Sequence, residues 1–338
     1  MIRLTTLFVA LVVASAARAD VDVPEAAYAK VNAALVRHHI APRFEHLATA
    51  AADFDAAIAC DDGVARDRAA LRPSYDAVMD AWMAVRHIRF GPVRLFMRNY
   101  RLYFWPEARG KIAGAVDEIL AADDPARFED DRFASASVAV QGLPAVEVLL
   151  FADRKSGPND CALLRAIAGN MRAIADDTAA GWREADELGP TPSDAALTLF
   201  RDLHDSLQLI AAVKLKPVLA KPRLAESGLS GRSVRNIAVN LEALQAMYLG
   251  EGGAGLGKIV REHGQDATLD PLMRRAFAQT IATARSIDVP IATAVADPVQ
   301  RAKLDKLTTE VLALKQIVRT RLAAALGLAV GFNALDGD

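Results

Sequence analysis

Several features that would assign a function are absent from this sequence. After its first nineteen residues the chain has no run of about eighteen apolar residues, which excludes an ordinary membrane-spanning helix. The formal net charge is −2 and no basic stripe with interleaved aromatic residues occurs, so nucleic-acid binding is not indicated. Only two of the 338 residues are cysteines, Cys60 and Cys161. They could form one disulfide in an exported protein, or they could be two buried thiols.

The common catalytic motifs are also missing. The sequence has no H-E-x-x-H, no G-x-S-x-G, no phosphate loop and no dinucleotide fingerprint. The tetrapeptide GLSG at 228–231 is not a nucleophile elbow, and we expect Ser230 to cap a helix. His39 and His46 are separated by Pro42, which we expect to interrupt any helix between them. Both histidines are therefore predicted to lie on the surface.

The N-terminus has the pattern of a secretory signal peptide, residues 1–19. Arg3 precedes the apolar run LFVALVVASA, and Ala17-Arg18-Ala19 matches an A-x-A cleavage site. The apolar run is too short to span a bilayer. We therefore expect export to the periplasm, with Asp20 as the first residue of the mature chain.

The rest of the chain has helical periodicity and predicts an all-α fold. Five apolar residues with 3-4-3-4 spacing indicate a long bundle helix; they are Leu304, Leu307, Val311, Leu314 and Val318. The segment LGPTPSD at 188–194 combines glycine and two prolines with a helix cap at Ser193 or Asp194. It divides the chain into an N-terminal bundle, 20–187, and a C-terminal bundle, 195–338.

A weak internal repeat suggests that the two bundles are related. When the first half is shifted by 159 residues, the apolar helix at 75–90 aligns with the one that ends near residue 249. Each helix is followed by a glycine, Gly91 or Gly250, which is a common helix ending.

One acid lies in the most apolar segment, QGLPAVEVLLF at 141–151. Pro144 favours the first turn of a helix, and Glu147 would then follow where the helix dipole stabilises a carboxylate. If Glu147 is buried, it needs a cation or several hydrogen-bond donors. A structural ion pair and a functional site are equally consistent with the sequence. The candidate partners are Arg232, Arg89, His87 and a bound metal.

Six segments in the same order give the chain a resemblance to the imelysin-like family, which includes iron-regulated protein A. They are AWMAVRHIRFGP (81–92), YFWPEARGKI (103–112), GLPAVEVLLF (142–151), CALLRAIAGNM (161–171), SGRSVRNIAVNLEALQAMYLG (230–250) and GFNALDGD (331–338). The resemblance implies two related helical bundles with a functional site near their interface. It also implies export and a role in iron uptake.

The family signature is G-x-H-x-x-E, proposed to bind a metal. Gly142 and Glu147 occupy the glycine and glutamate positions, but Pro144 stands where the histidine belongs. A His and a Glu three apart share a helix face and can hold one metal ion, whereas proline has no ligand atom. The peptidase label of the family is therefore doubtful here, since a catalytic zinc uses three protein ligands.

The resemblance also draws attention to a set of ligand-binding candidates, which are Glu147, Arg232, His87, Arg89, Trp82 and Asp336. Glu147 is the only candidate metal ligand, for iron or another divalent metal, and we expect a direct ion pair between Arg232 and Glu147. No catalytic residue is predicted.

The leading hypothesis is a periplasmic, non-catalytic protein of iron acquisition that binds iron, an iron complex or a membrane-bound uptake partner. The alternatives are a metal-dependent peptidase and a structural helical interaction module.

Overall fold

The computed structural model describes residues 21–61, 63–107, 109–122, 124–185 and 188–328. The predicted signal peptide and Asp336 lie outside these residues. The described chain is mainly helical, with one short β-hairpin, which confirms the all-α prediction. Its α-helices are α1 Glu25–Leu35, α2 Ala41–Ala57, α3 Arg72–Val85, α4 Arg98–Leu102, α5 Lys111–Ala121, α6 Asp130–Phe133, α7 Leu143–Phe151, α8 Asp160–Arg183, α9 Pro192–Leu209, α10 Lys216–Ala220, α11 Ser233–Leu249, α12 Leu256–His263, α13 Leu269–Arg285, α14 Ile291–Ala296, α15 Pro298–Ile317 and α16 Ala323–Ala325. Two short antiparallel strands, β1 Cys60–Asp61 and β2 Val64–Ala65, form a hairpin.

The helices form two sets, and the sets meet along a shared core. In the N-terminal set (α1–α8), α2 packs against α3 and α8; in the C-terminal set (α9–α16), α13 packs against α11 and α15. The sets contact each other where α1 meets α9 and where α3 meets α11. Buried apolar side chains from both sets form one continuous cluster. The division into two domains at 188–194 stays a prediction.

Two helix starts show how local sequence fixes these elements. The five apolar residues predicted to line a bundle helix are all fully buried. Four of them lie in α15, and Val318 begins the π turn Val318–Leu322 that follows it. Asp297 caps α15 by accepting hydrogen bonds from the N–H groups of Val299 and Gln300. The cap of α9 is Thr191, whose hydroxyl accepts from the N–H of Asp194. The predicted cap at Ser193 or Asp194 is therefore wrong, because both lie inside the helix.

The two helices of the suggested repeat, α3 and α11, end differently. Gly250 directly follows α11, as expected, whereas α3 ends at Val85, five residues before 90. Gly91 and Gly250 nevertheless both have a φ of +66°, a conformation that side chains other than glycine rarely adopt. A Cβ atom at Gly91 would also overlap the ring of Trp182.

A π turn, Val36–Ile40, joins α1 to α2 without breaking the helix. The N–H of Ala41 bonds to the carbonyl of Val36, five residues back. Pro42 follows at once; it has no N–H, and its ring would clash with the carbonyl four residues earlier in a regular α-helix. The wider turn accommodates the proline. The expectation that Pro42 interrupts the helix is therefore wrong.

A second π turn has the same design. Residues Ile210–Leu215 join α9 to α10, and Pro217 follows. The first turn carries His39 and the second carries Lys214, and both side chains are buried. The prediction that His39 lies on the surface is wrong, whereas His46 is exposed as expected.

A disulfide between Cys60 and Cys161 ties the β-hairpin to the start of α8, so the disulfide is the alternative that the protein adopts. The two Cα atoms are 6.0 Å apart, within the usual range. The N–H of Cys161 also donates to the carbonyl of Gly63 at 2.9 Å. Among the described helices, none is both long and apolar enough to cross a bilayer.

Candidate functional site at the contact of the helix sets

Glu147 lies in α7, which is buried along nearly its whole length. The helix begins at Leu143 with Pro144 in its first turn, as predicted. Gly142 precedes it and contacts the end of α4, where a Cβ atom would overlap the backbone carbonyls of Arg101 and Leu102. The glycine therefore allows α7 to approach α4, and Glu147 is carried into the interior with 8% of its surface exposed.

The partner of Glu147 is Ser230 and not a cation. The Oε1 atom of Glu147 accepts hydrogen bonds from the Ser230 N–H at 2.8 Å and from its hydroxyl at 2.7 Å. Burial raises the pKa of Glu147, and the two Ser230 bonds oppose that rise. Ser230 lies in the 221–232 segment between α10 and α11. The expectation that Ser230 caps a helix is wrong, because α11 begins at Ser233 and its N-cap is Arg232.

Arg232 points to other acids. Its guanidinium forms ion pairs with Asp76, at 3.0 Å, and with Asp80, both on α3. Arg235 also pairs with Asp80, at 2.9 Å. The predicted ion pair between Arg232 and Glu147 is therefore wrong. Both residues nevertheless bind the same stretch of chain to the N-terminal set, Glu147 through Ser230 and Arg232 through α3.

A buried ionic network lies in the same region. Lys214 donates from Nζ to Oε2 of Glu226 at 2.6 Å and to Oδ1 of Asn240 at 2.6 Å. Arg86, just after α3, donates to the other carboxylate oxygen of Glu226. The amide of Asn236 donates to Glu226 as well, at 3.3 Å. One carboxylate therefore serves two cations, one from each helix set.

The pKa values keep this network charged at neutral pH. Burial lowers the pKa of Lys214 to about 8, although the charge of Glu226 opposes the change. Burial alone would raise the pKa of Glu226, but the charges of Lys214 and Arg86 outweigh it and hold that pKa below its ordinary value. The lowered pKa of Glu226 favours its ionised form, and the pKa of Lys214, although lowered, remains above 7, so the pair is ionised at pH 7.

Aromatic rings cover the cationic side of the network. The guanidinium of Arg86 lies 4.8 Å from the ring centre of Tyr103 and 5.0 Å from that of Trp105. The hydroxyl of Tyr103 is 3.3 Å from that of Ser227, in the 221–232 segment. Trp82 is buried with its ring against Tyr103. Its indole N–H has no hydrogen-bond partner among the described residues.

His87 forms a buried pair with His39. Their Nε2 atoms are 2.9 Å apart, so one ring donates to the other. Burial lowers the pKa of His87 to about 3 and that of His39 well below its ordinary value, and the nearby Arg43 charge lowers both further. Both rings are therefore neutral at pH 7. A small cavity between His87, Arg86 and Asn240 separates this pair from the ionic network.

Arg89 joins the helix sets by binding two acids of α9. Its backbone N–H donates to Asp202 at 2.9 Å, and its guanidinium pairs with Asp205 at 3.0 Å. Burial raises the pKa of Asp202 to about 6 despite these contacts. His204 lies beside them, with Nδ1 at 3.1 Å from Asp205.

The structure therefore brings five of the six candidates to the contact of the helix sets, and Asp336 lies outside the described residues. Lys214, Glu226 and Arg86 were not predicted from the sequence. Lys214 had a detectable signal, since the apolar run LQLIAAVKL makes it a charge in a core segment, as Glu147 is in 141–151. Arg86 had a comparable signal, since it directly follows the apolar run AWMAV at 81–85, whereas Glu226 stands in the polar segment AESG at 225–228 with no such contrast.

A metal site of the kind expected for G-x-H-x-x-E is not supported by these contacts. The hydrogen bonds of Glu147 come from Ser230, and its charge acts on the buried Tyr75, whose pKa it raises. Within the described part of the chain, no three His, Cys, Asp or Glu side chains are grouped so that they could hold a metal ion. The residues present do not fit a resident metal at Glu147.

The fold and the site define an all-α protein with two packed helix sets and buried charges at their contact. The chain belongs to the imelysin family: the family model Imelysin (Peptidase_M75) matches residues 40–318. No curated protein matches the sequence.

Two solved structures share the fold. An imelysin-like protein from Psychrobacter arcticum 273-4 is 19% identical with a TM-score of 0.76, and the match covers 93% of this chain and 100% of that one. A protein described as an iron-regulated protein A precursor, from Parabacteroides distasonis ATCC 8503, is 16% identical with a TM-score of 0.71. That match covers 90% of this chain and 96% of the other.

Proposed function

We propose that this protein is exported and acts in iron acquisition as a binding protein, without peptidase activity. Its binding site is the buried ionic network at the contact of the helix sets. The observation that supports this most directly is that Arg86 and Lys214 share the single carboxylate of Glu226. The shared fold with the iron-regulated protein A precursor of Parabacteroides distasonis supports the link to iron. The Cys60–Cys161 disulfide supports export, because disulfides persist in oxidising compartments.

The ligand is an iron complex with anionic groups rather than a bare ion. Bare iron needs several oxygen or nitrogen ligands, and among the described residues Glu147 has none beside it that could complete a set. The network instead offers two cations next to the rings of Tyr103 and Trp105. A movement of the 221–232 segment that withdraws Glu226 would leave Arg86 and Lys214 free to bind an anionic complex.

Calorimetric titration tests this proposal. The protein lacking residues 1–19 is titrated with ferric citrate, with citrate alone and with ferrous chloride. Ferric citrate is expected to bind with one site per chain, and Arg86→Gln is expected to weaken it at least about tenfold, a change of about 1.4 kcal/mol. Arg165→Gln, an exposed arginine on α8, is the matched control and leaves binding unchanged.

Two results would overturn the proposal. Equal affinity of Arg86→Gln and Arg165→Gln for ferric citrate would show that the ionic network is not the binding site. Hydrolysis of casein by the purified protein, stopped by a chelator, would establish the peptidase alternative.

One observation favours a second candidate, a structural interaction module. Glu147, Lys214 and Glu226 are all hydrogen-bonded within the protein, so the network also suits a purely structural role. This candidate predicts that Arg86→Gln lowers the free energy of unfolding while none of the three titrants binds.

A further inference from the structure

A second site lies within the N-terminal set, between α4, α6 and α8. A cavity of about 320 Å³ is lined there by side chains of both charges and by aromatic rings. This volume is at the lower end of the roughly 300–1,000 Å³ typical of small-molecule sites. None of the residues predicted from the sequence lines it.

The floor of the cavity is open because α8 presents small residues there. Ala166, Gly169 and Ala173 follow helical spacing and all line the space. A Cβ atom at Gly169 would meet no other atom within 4 Å. A larger side chain at this position would therefore fill the cavity without disturbing its charged groups.

Arg101 supplies a positive charge that forms no ion pair among the described residues, although the charges of Arg98 and Asp177 act on it. Its Nε donates to the amide oxygen of Gln141 at 2.7 Å, and its Nη2 donates to that of Asn170 at 2.6 Å. Within the described part of the chain, both of its hydrogen-bond partners are neutral and it forms no ion pair. The guanidinium has five N–H groups, so these two bonds leave donors for an anion.

The position of Arg101 is fixed by its surroundings. The amide of Asn170 also donates to the backbone carbonyl of Gln141 at 3.0 Å, which holds the two acceptors together. Gly142 packs against the carbonyl of Arg101 itself. A guanidinium held in one place by two neutral acceptors is well prepared to bind a planar carboxylate.

The opposite charge lies at other points of the lining. Asp130 and Asp131 are exposed and form no ion pair among the described residues. Asp177 is already paired with Arg98, at 2.8 Å. The described lining therefore has a cation without an acid partner, Arg101, and two acids without a basic partner.

Two aromatic residues complete the lining. Phe96 is 77% exposed, and Arg98 lies over its ring at 5.6 Å from the ring centre. Phe96 and Met97 have φ values of +52° and +58°, and residues of this kind rarely adopt that conformation. The ring of Phe133 is buried on the inner side of the cavity.

We infer that this cavity binds a small zwitterion of the amino-acid type with an apolar side chain. Its carboxylate binds Arg101 and Asn170, its ammonium group lies near Asp130 and Asp131, and its side chain packs against Phe96 and Phe133. The site does not depend on the ionic network at the contact of the helix sets.

Ligand-observed NMR and calorimetry with three probes test this inference. L-Phenylalanine carries both charges, 3-phenylpropanoate lacks the ammonium group and phenethylamine lacks the carboxylate. We expect L-phenylalanine to bind one site per chain and each of the other probes to bind at least about tenfold more weakly. Arg101→Gln and Gly169→Leu are both expected to abolish binding.

A matched control is available on α5. Gly114 is also a helical glycine with no atom within 4 Å of a Cβ position, so Gly114→Leu is expected to leave binding unchanged. Circular dichroism checks that the variants are folded. If Arg101→Gln does not fold, L-phenylalanine binding by Gly169→Leu still tests the site. Absence of saturable L-phenylalanine binding, or binding that Gly169→Leu leaves intact, would overturn the site. Equal binding of 3-phenylpropanoate would overturn the role of Asp130 and Asp131.

Discussion

Glu147 and Ser230 lie 83 positions apart in the sequence and are joined by two hydrogen bonds to one carboxylate oxygen. The acid belongs to α7 of the N-terminal set, and the serine belongs to the 221–232 segment of the C-terminal set. Glu226, which neutralises Arg86 and Lys214, lies in the same segment. Glu147 therefore helps to position the acid on which the ionic network depends.

Glu147→Ala should destabilise the protein because it leaves the N–H and the hydroxyl of Ser230 without their acceptor. Unsatisfied buried donors cost about 1–3 kcal/mol. Glu147→Gln retains an acceptor oxygen for Ser230 and should therefore lose less stability than Glu147→Ala. Urea denaturation of both variants measures the difference. Equal losses for alanine and glutamine would show that the hydrogen bonds to Ser230 contribute little to stability.

Lys214 and Glu226 should be strongly coupled. Lys214→Met leaves the buried carboxylate with Arg86 as its remaining charged partner, and removal of one member of a buried pair costs about 3–5 kcal/mol. The double variant Lys214→Met with Glu226→Gln should lose less free energy of unfolding than the two single variants lose in total. A double-mutant cycle measured by chemical denaturation gives the coupling energy.

The control for this cycle is an exposed pair on α12, Lys258 and Glu262, at 3.9 Å. Lys258→Met should change the free energy of unfolding by less than about 0.5 kcal/mol. If the two pairs give the same coupling energy, burial does not strengthen the interaction of Lys214 with Glu226.

The His39–His87 pair should make the protein less stable in acid. The pKa of His87 is about 3 in the folded protein and 6.5 ordinarily, so below pH 6.5 the unfolded chain binds more protons. The contribution of neutral His87 to the free energy of unfolding is fully present above pH 6.5 and is lost as the pH falls toward 3. For this residue alone the loss between pH 6.5 and 5 should be about 2 kcal/mol.

Unfolding curves from pH 7 to 5 test this dependence. The gap in stability between wild type and His87→Gln should narrow as the pH falls, since glutamine does not titrate. The free energy of unfolding of His46→Gln, a change at an exposed position, should vary with pH in the same way as that of wild type. A constant gap for His87→Gln would contradict the lowered pKa.

Loss of the disulfide should destabilise the N-terminal set. The bond closes a loop across a sequence separation of 101 residues. Bonds of this kind stabilise folded proteins by about 2–5 kcal/mol. Cys60→Ala with Cys161→Ala should lower the free energy of unfolding by that amount, and reductant should affect only the wild type. If full reduction of the disulfide leaves the free energy of unfolding of the wild type unchanged, the prediction is wrong.

The fold was predictable because its signal is periodic. The apolar spacing from Leu304 to Val318 depends only on local sequence, and a helix occurs there as expected; of the break predicted at 188–194, residues 192–194 already belong to α9. The unusual position of Glu147 was also visible, since an acid in an apolar run needs an explanation. Its partner was not predictable from spacing, because Ser230 approaches it only through packing of the helix sets.

The same limit applies to the ionic network. Arg232 was a reasonable partner for Glu147, but Asp76 and Asp80 on α3 lie closer to it in the fold. Arg86 and Glu226 are 140 positions apart. A single sequence contains no measure of such distances, so Glu226, which stands in a polar segment, could not be recognised as buried.

The π turns Val36–Ile40 and Ile210–Leu215 have a consequence for the register of the helices that follow them. Each residue of an α-helix turns the chain by about 100°, and a π turn inserts one residue more than a regular turn. The buried faces of α1 and α2 are therefore in phase only because Val36–Ile40 contains that extra residue. Deleting one residue there would rotate Phe44 and Leu47 away from the core that they now fill.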